Sequence, residues 1–271
     1  MKGLKAYLLD LGYTIFDLNL LSPVYGEAGK NGQSSAYCIL LDHPTEGKIM
    51  LDLGFHPDSM LGRWSEEKKK FTTWTYNERQ NFMYQLLLCG VDPKDVKKVV
   101  LTHMHQDHIG CTYLFPHAEI FFPASELKSD LARRWLTATN EQRAAMPTAA
   151  ELGIHPDLDC DVHNYHFLPD EDYELCEGVT LISLPGHTMG TMGVLLDLEN
   201  SGPILYASDA LMVPGNYQNP PVPPGKVADM GLYLSSVEKI RKLQAETGCE
   251  IWYGHNYPQF KSLKHAPEYY D

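Results

Sequence analysis

Val99-Val100-Leu101-Thr102-His103-Met104-His105-Gln106-Asp107-His108-Ile109-Gly110 is the stretch on which the reading of this chain turns. Val99 to Leu101 is an apolar run suited to a buried strand, and it leads into a short segment of metal-ligand chemistry. The pattern His-x-His-x-Asp-His places four ligand-type side chains within six positions. Alternation predicts His103, His105 and Asp107 on one side of extended backbone with His108 pointing elsewhere, so that one loop can serve two neighbouring metal ions. One histidine on an apolar face is ordinarily a core residue. Four such groups, followed at once by Gly110, are a ligand loop.

The same grammar recurs along the chain. Gly178 to Leu184 reads as a strand that ends in Pro185-Gly186-His187, Ile204 to Ala207 as one that ends in Ser208-Asp209, and Glu250 to Gly254 as one that ends in His255. With the first loop this makes five histidines and two carboxylates, enough for two ions sharing a bridging carboxylate. Nitrogen and oxygen donors without thiolate suit zinc, with iron, manganese and cobalt also accommodated. Asp52, in the turn Asp52-Leu53-Gly54, is open to two readings, a carboxylate orienting a metal-bound histidine or a turn cap. His43, His117 and His265 read as surface residues, and His155, His163 and His166 as structural ones.

Upstream, Lys5 to Leu20 reads as one or two strands broken near Leu11-Gly12, and Ser35–Leu41 with Lys48–Asp52 as a hairpin. Helices are predicted over Asn77–Cys89, Ser125–Leu136 and Leu232–Thr247, the last stopped by Gly248. Phe55 to Tyr76 is irregular and aromatic, and Pro214 to Lys226 is a proline-rich loop. Two runs of strands with helices after each, and no low-complexity linker, predict one domain over 1–271. Its expected architecture is an α/β sandwich, two mixed β-sheets packed face to face with helices outside.

The net charge of −13 disfavours nucleic acid and anionic membrane surfaces as partners. Six scattered cysteines without a Cys-x-x-Cys pair give no disulfide framework, no signal peptide is visible, and no segment is long and apolar enough to span a membrane. The expected location is the cytoplasm and the expected state a monomer or homodimer.

These motifs together resemble the metallo-β-lactamase-fold hydrolases, whose αββα sandwich carries a metal site along one edge of its sheets. The resemblance implies that His103, His105 and His187 hold one ion, that Asp107, His108 and His255 hold the other, and that Asp209 bridges them. True β-lactamases carry Cys or Ser in place of this aspartate, and flavodiiron proteins carry Glu in place of His105. Within the superfamily the chain is most similar to the small lactonases acting on N-acyl-homoserine lactones and pyridoxolactone, which share its length and its Tyr-Leu-Leu-Asp-like opening strand. Those lactonases commonly have Tyr three positions after the bridging Asp, where this chain has Met212; Tyr217 is the candidate substitute for contact with the substrate carbonyl.

The activity implied is opening of a lactone or related carboxylic ester by a metal-bridging hydroxide, with Asp107, Asp209 and Tyr217 as catalytic candidates. The alternatives are a hydrolase of a thioester, amide or phosphodiester on the same site, or a non-catalytic di-iron sensor. The segments Phe55–Tyr76 and Pro214–Lys226 are expected to overhang the metals. Trp64, Phe71 and Trp74 would then form an apolar wall for a small hydrophobic or aromatic substrate.

Overall fold

Alternate residues of one strand feed two different cores, and this explains the architecture. In β2 (Asn31–His43), Ala36, Cys38 and Leu40 face one apolar cluster while Tyr37, Ile39 and Leu41 face another. A strand apolar on both faces has to be covered on both faces. The structure, a computed structural model, describes residues 1–23 and 29–271.

The first sheet holds β1 (Lys5–Asp17), β2, β3 (Gly47–Leu51), β4 (Thr73–Thr75), β5 (Val96–Val100), β6 (Glu119–Pro123) and β7 (Tyr165–Leu168), in the order β4-β1-β2-β3-β5-β6-β7. It is antiparallel from β4 to β3 and parallel from β3 to β7. β1 is a single strand rather than two, with a register shift between Asp10 and Tyr13. The second sheet holds β8 (Tyr173–Cys176), β9 (Val179–Ser183), β10 (Met192–Leu198), β11 (Gly202–Tyr206) and β12 (Glu250–Trp252), in the order β12-β11-β10-β9-β8. β11 and β12 run parallel and the rest antiparallel.

Leu8, Ile39, Leu41 and Leu51 of the first sheet meet Leu181, Val194, Leu196 and Tyr206 of the second in the central core. The helices are α1 (Glu66–Phe71), α2 (Phe82–Leu88), α3 (Gln106–Ile109), α4 (Asp130–Thr137), α5 (Asn140–Arg143), α6 (Met230–Thr247) and α7 (Tyr257–Ser262). α2 and α4 bury Phe82, Leu86, Trp135 and Leu136 on the outer face of the first sheet. α6 buries Tyr233, Val237 and Ile240 on the outer face of the second. Each such side chain contributes roughly 1.5–3 kcal/mol of hydrophobic stabilisation. Two mixed sheets lie face to face with helices outside, as expected. Gly248 ends α6 in a left-handed conformation, its N–H donating to the Gln244 carbonyl.

Three local expectations are corrected. α4 starts after Ser129, whose side chain accepts from Ala132 N–H; Ser125 instead bonds Asp170 and the Met189 carbonyl. The backbone after His105 is not extended, because Gln106–Ile109 forms a helical turn. His43 is buried rather than at the surface, with its ring bonded to the Glu177 carbonyl and to the backbone of Thr45 and Glu46. No helix among the described residues is long and apolar enough to cross a membrane.

The turn at α3 is clamped to the end of β3. Leu53 N–H donates to the His108 carbonyl at 2.7 Å, Gly110 N–H to Gly54 at 2.7 Å and Cys111 N–H to Leu53 at 3.2 Å. This approach leaves no room for a side chain at Gly110, where a Cβ would stand 2.0 Å from His56 N and 2.2 Å from the Phe55 carbonyl carbon. Those are backbone atoms, which cannot swing aside. Gly110→Ala is therefore expected to cost about 1–3 kcal/mol or more, as overpacking does, and to lower metal uptake with it. An unchanged urea midpoint would show that the clamp yields freely.

Candidate metal centre

Five strand ends converge at one edge of the sandwich. β3 delivers Asp52, β5 the loop from His103, β9 His187, β11 Asp209 and β12 His255. The structure gathers all seven expected ligand residues into two groups, His103, His105, His187 and Asp209, and Asp107, His108 and His255, with the donor atoms of each group within 4.8 Å of one another. Asp209 lies between them. Its Oδ2 is 3.6 Å from His103 Nε2 and 3.2 Å from His187 Nε2. Its Oδ1 is 3.3 Å from His108 Nε2 and 3.0 Å from His255 Nε2. Asp107 Oδ2 completes the second group at 3.5 Å from His255 Nε2.

Four of the five rings are held from behind. His108 Nδ1–H donates to Asp52 at 2.7 Å, His187 Nδ1–H to the Lys226 carbonyl at 3.2 Å, and His255 Nδ1–H to the Ser35 carbonyl at 3.1 Å. His103 Nδ1 lies 3.2 Å from Thr102 Oγ1. All four therefore turn Nε2 inward. His105 is reversed, its Nδ1 lying 2.9 Å from His103 Nε2 and 3.0 Å from His187 Nε2. Outer partners that fix a tautomer in this way are the usual support of ligating histidines.

Asp52 resolves to the orienting role. Fully buried, it accepts from His108 and from Thr102 N–H and Oγ1, and takes the Tyr206 hydroxyl at 3.0 Å. It does so from φ +59°, a left-handed conformation that a non-glycine residue seldom adopts.

Burial disfavours charge on His103, His105, His108 and His255, but the carboxylates are unevenly shared. Burial and the neighbouring imidazoles hold His103 well below the usual histidine range, and burial with His187 and Lys226 takes His105 down to about 3. Burial also acts against charge on His108 and His255. The carboxylates outweigh it: Asp52, Asp209 and Asp107 hold His108 well above the usual range, and Asp209 and Asp107 bring His255 to about 9. Burial would raise Asp209, yet His255, His108 and His103 hold it well below the ordinary carboxylate range. His108 Nε2 and Asp209 Oδ1, both buried, have no hydrogen-bond partner. Unsatisfied groups of this kind facing one another suit a cation between them.

The sequence between residues 31 and 255 matches the family description of the metallo-beta-lactamase superfamily. The chain belongs to that superfamily. It is 31% identical to the N-acyl homoserine lactonase AttM of Azorhizobium caulinodans over the full length of both chains. It is 26% identical to the N-acyl homoserine lactonase AiiB of Agrobacterium fabrum over 96% of each. Among solved structures, a quorum-quenching N-acyl homoserine lactone hydrolase matches with a TM-score of 0.78 at 25% identity, covering 98% of this chain and 97% of the other. An N-acyl homoserine lactone hydrolase holding the product N-hexanoyl-L-homoserine at its metal centre shares the fold, with a TM-score of 0.80 at 24% identity over 98% of each chain.

Above the superfamily's ligand cluster lies a cavity of about 440 Å³, lined by Phe16, Leu20, Phe55 and Met212 and reaching His105, Asp107 and Asp209. Tyr217 is not among its walls. Its hydroxyl bonds Gln244 Oε1 at 2.8 Å on α6, and the Arg241 guanidinium lies 5.4 Å from its ring. The chain turns away because Asn216 Oδ1 accepts from Met212 and Val213 N–H, so the residue after it points toward the helix. The expected aromatic wall is corrected as well. Trp64 and Trp74 are buried core packed on Phe55, with Trp74 Nε1–H donating to the Leu11 carbonyl, and Phe71 is 70% exposed.

Several residues carry no strong sequence signal yet bear on the site. The buried Glu126 carboxylate accepts from Met104 N–H at 2.7 Å and Gly190 N–H at 2.8 Å, tying the His103 loop to the His187 loop. His155, Lys68, Gln106 and Lys226 line the cavity. An acid or lysine alone in a loop has no periodicity to mark it; only a fold-level argument could single these out.

Removing Asp52 should show how much the site depends on its support. Asp52→Ala leaves His108 Nδ1, Thr102 and Tyr206 without their acceptor, and is expected to cost about 3–5 kcal/mol, as breaking a buried charged pair does. Tyr206→Phe removes a single bond and should cost about 1 kcal/mol. Equal losses for the two in denaturant unfolding would remove Asp52 as the anchor.

Proposed function

We propose that this chain opens a lactone, or a closely related carboxylic ester, with two divalent ions, zinc in the native protein. His103, His105 and His187 would hold one, and Asp107, His108 and His255 the other, with Asp209 shared. The observation that carries this reading is the division of Asp209, one oxygen toward each donor group. Bound there, the two ions supply Lewis acidity, which lowers the pKa of water toward neutrality and polarises an ester carbonyl.

The residues of the chain provide the rest. The partners behind His103, His108, His187 and His255 keep their inward nitrogens fixed, so little reorganisation is needed at the moment of reaction. Asp209, almost fully buried, would serve as a rigid spacer, whereas Asp107, 22% exposed, would relay a proton between solvent and the leaving oxygen. Phe16, Leu20, Phe55 and Met212 hold an apolar substrate body and exclude water around it. With Tyr217 turned to α6, contact with the carbonyl oxygen falls to the ions rather than to a tyrosine hydroxyl. The activity named for the relatives, N-acyl homoserine lactone hydrolysis, supports a lactone over a thioester, amide or phosphodiester, and over a di-iron sensor.

The test combines metal analysis with a lactone panel. Protein grown without supplementation should carry two metal equivalents, lose hydrolysis on chelation and regain it with zinc. His103→Ala and His187→Ala should each lose one equivalent and nearly all turnover. Outer partners of metal ligands are worth about 10- to 100-fold, so Asp209→Asn is expected to lower metal affinity and rate together by more than that while the fold persists. Asp209→Asn protein that binds two ions as tightly as the parent would overturn the assignment.

A further inference from the structure

Two ammonium groups stand at the cavity, and ligation of metal requires neither. Lys226 Nζ lies 3.1 Å from His105 Nε2, and Lys68 Nζ bonds Gln106 Oε1 while lying 4.7 Å from the centre of the Trp64 ring. Both line the cavity. Among the described residues no carboxylate lies within ion-pairing distance of either, although the chain as a whole carries a net charge of −13. Asp107 and Asp209 also line the cavity, but both belong to the metal-ligand cluster, so neither ammonium has a carboxylate paired with it there.

The orientation of His105 sharpens the point. Its Nδ1 faces the other imidazoles, so once that lone pair is given to a cation the ring hydrogen sits on Nε2. Nε2–H and the Lys226 ammonium are then two donors 3.1 Å apart, and neither can accept from the other. Two converging donors call for an acceptor between them, and next to a cationic centre an anionic oxygen is the best one. Lys68 is already oriented for the same task by Gln106 and by the face of Trp64. Phe16, Leu20, Phe55 and Met212 add an apolar wall, beside the polar Thr14, Thr72 and His155.

We propose that Lys226, with Lys68 beside it, forms an anion-recognition subsite, and that the substrate is an apolar or aromatic lactone bearing a carboxylate outside the ring that is opened. This rests on the lactone reading above and narrows it to a substrate class. Lys226 is a specificity residue and Lys68 supports the same charge. The backbone carbonyl of Lys226 that holds His187 is untouched by a side-chain substitution.

The experiment uses zinc-loaded protein, Lys226→Met, Lys68→Met and Lys226→Arg, with metal content measured for each. Phthalide and its ring carboxylate form the substrate pair, and phthalan carboxylate, the inert cyclic ether of the same shape, is the binding probe read by calorimetry. The wild type should favour the carboxylate lactone through KM. Lys226→Met should lose that preference by roughly tenfold to hundredfold, the worth of a hydrogen bond to a charged group, and should bind phthalan carboxylate correspondingly less tightly. Lys68→Met should show the same loss in smaller measure, and Lys226→Arg should restore most of it. If the wild type opens neither lactone yet binds phthalan carboxylate in a Lys226-dependent way, the lactone reading fails and the anion subsite stands. Equal binding of the probe by wild type and Lys226→Met, or a loss of metal in Lys226→Met that matches its loss of affinity, would overturn the subsite.

Discussion

A carboxylate with almost no access to solvent sits among four imidazole Nε2 atoms, all within 3.6 Å of its oxygens. Burying such an ion costs several kcal/mol unless opposite charge and hydrogen bonding compensate. At Asp209 the compensation comes from three strand ends, those of β5, β9 and β12, with two imidazoles at each oxygen, so the cost of its burial is met only when both sheets are in place. The arrangement explains why the sandwich needs two mixed sheets. One supplies the His103–His108 loop and Asp52, and the other supplies His187, Asp209 and His255.

Thr102 is the joint between these halves. Its N–H and hydroxyl reach Asp52, its Oγ1 lies 2.8 Å from Ser208 Oγ and 3.2 Å from His103 Nδ1, and its carbonyl accepts from Met192 N–H across the sandwich. Asp52 and Ser208, the residues on either side of it, both adopt positive φ. Strained backbone at this joint is held by a fully bonded network, which is where a rigid fold can sustain it. Farther out, the cavity is shaped by loops with few such constraints. Substrate choice can therefore vary over a centre that does not.

The ligand loop was legible in the sequence because its residue types are rare, close together and placed at a strand end. His187, Asp209 and His255 were legible for the same reason. The two-sheet architecture followed from two runs of strands with helices after each. Asp52 stayed ambiguous because its role depends on Tyr206 and His108, far away in sequence and near only after folding. Nearness of Tyr217 to Asp209 along the chain does not fix the direction of its side chain; the bonds of Asn216 do that. Trp64 and Trp74 belong to the core although local pattern suits a cavity wall equally, because both draw on the same aromatic residues. Glu126 and Lys226 are single polar residues in loops, and their meaning lies in partners that local pattern cannot show.

The central claim is that Asp209 is shared between two cations. Anomalous diffraction from crystals of the zinc-loaded protein tests it most directly. The account predicts two zinc peaks, one against each Asp209 oxygen, the first within the His103, His105 and His187 group and the second within the Asp107, His108 and His255 group. A single peak, or two peaks of which only one touches Asp209, would contradict it.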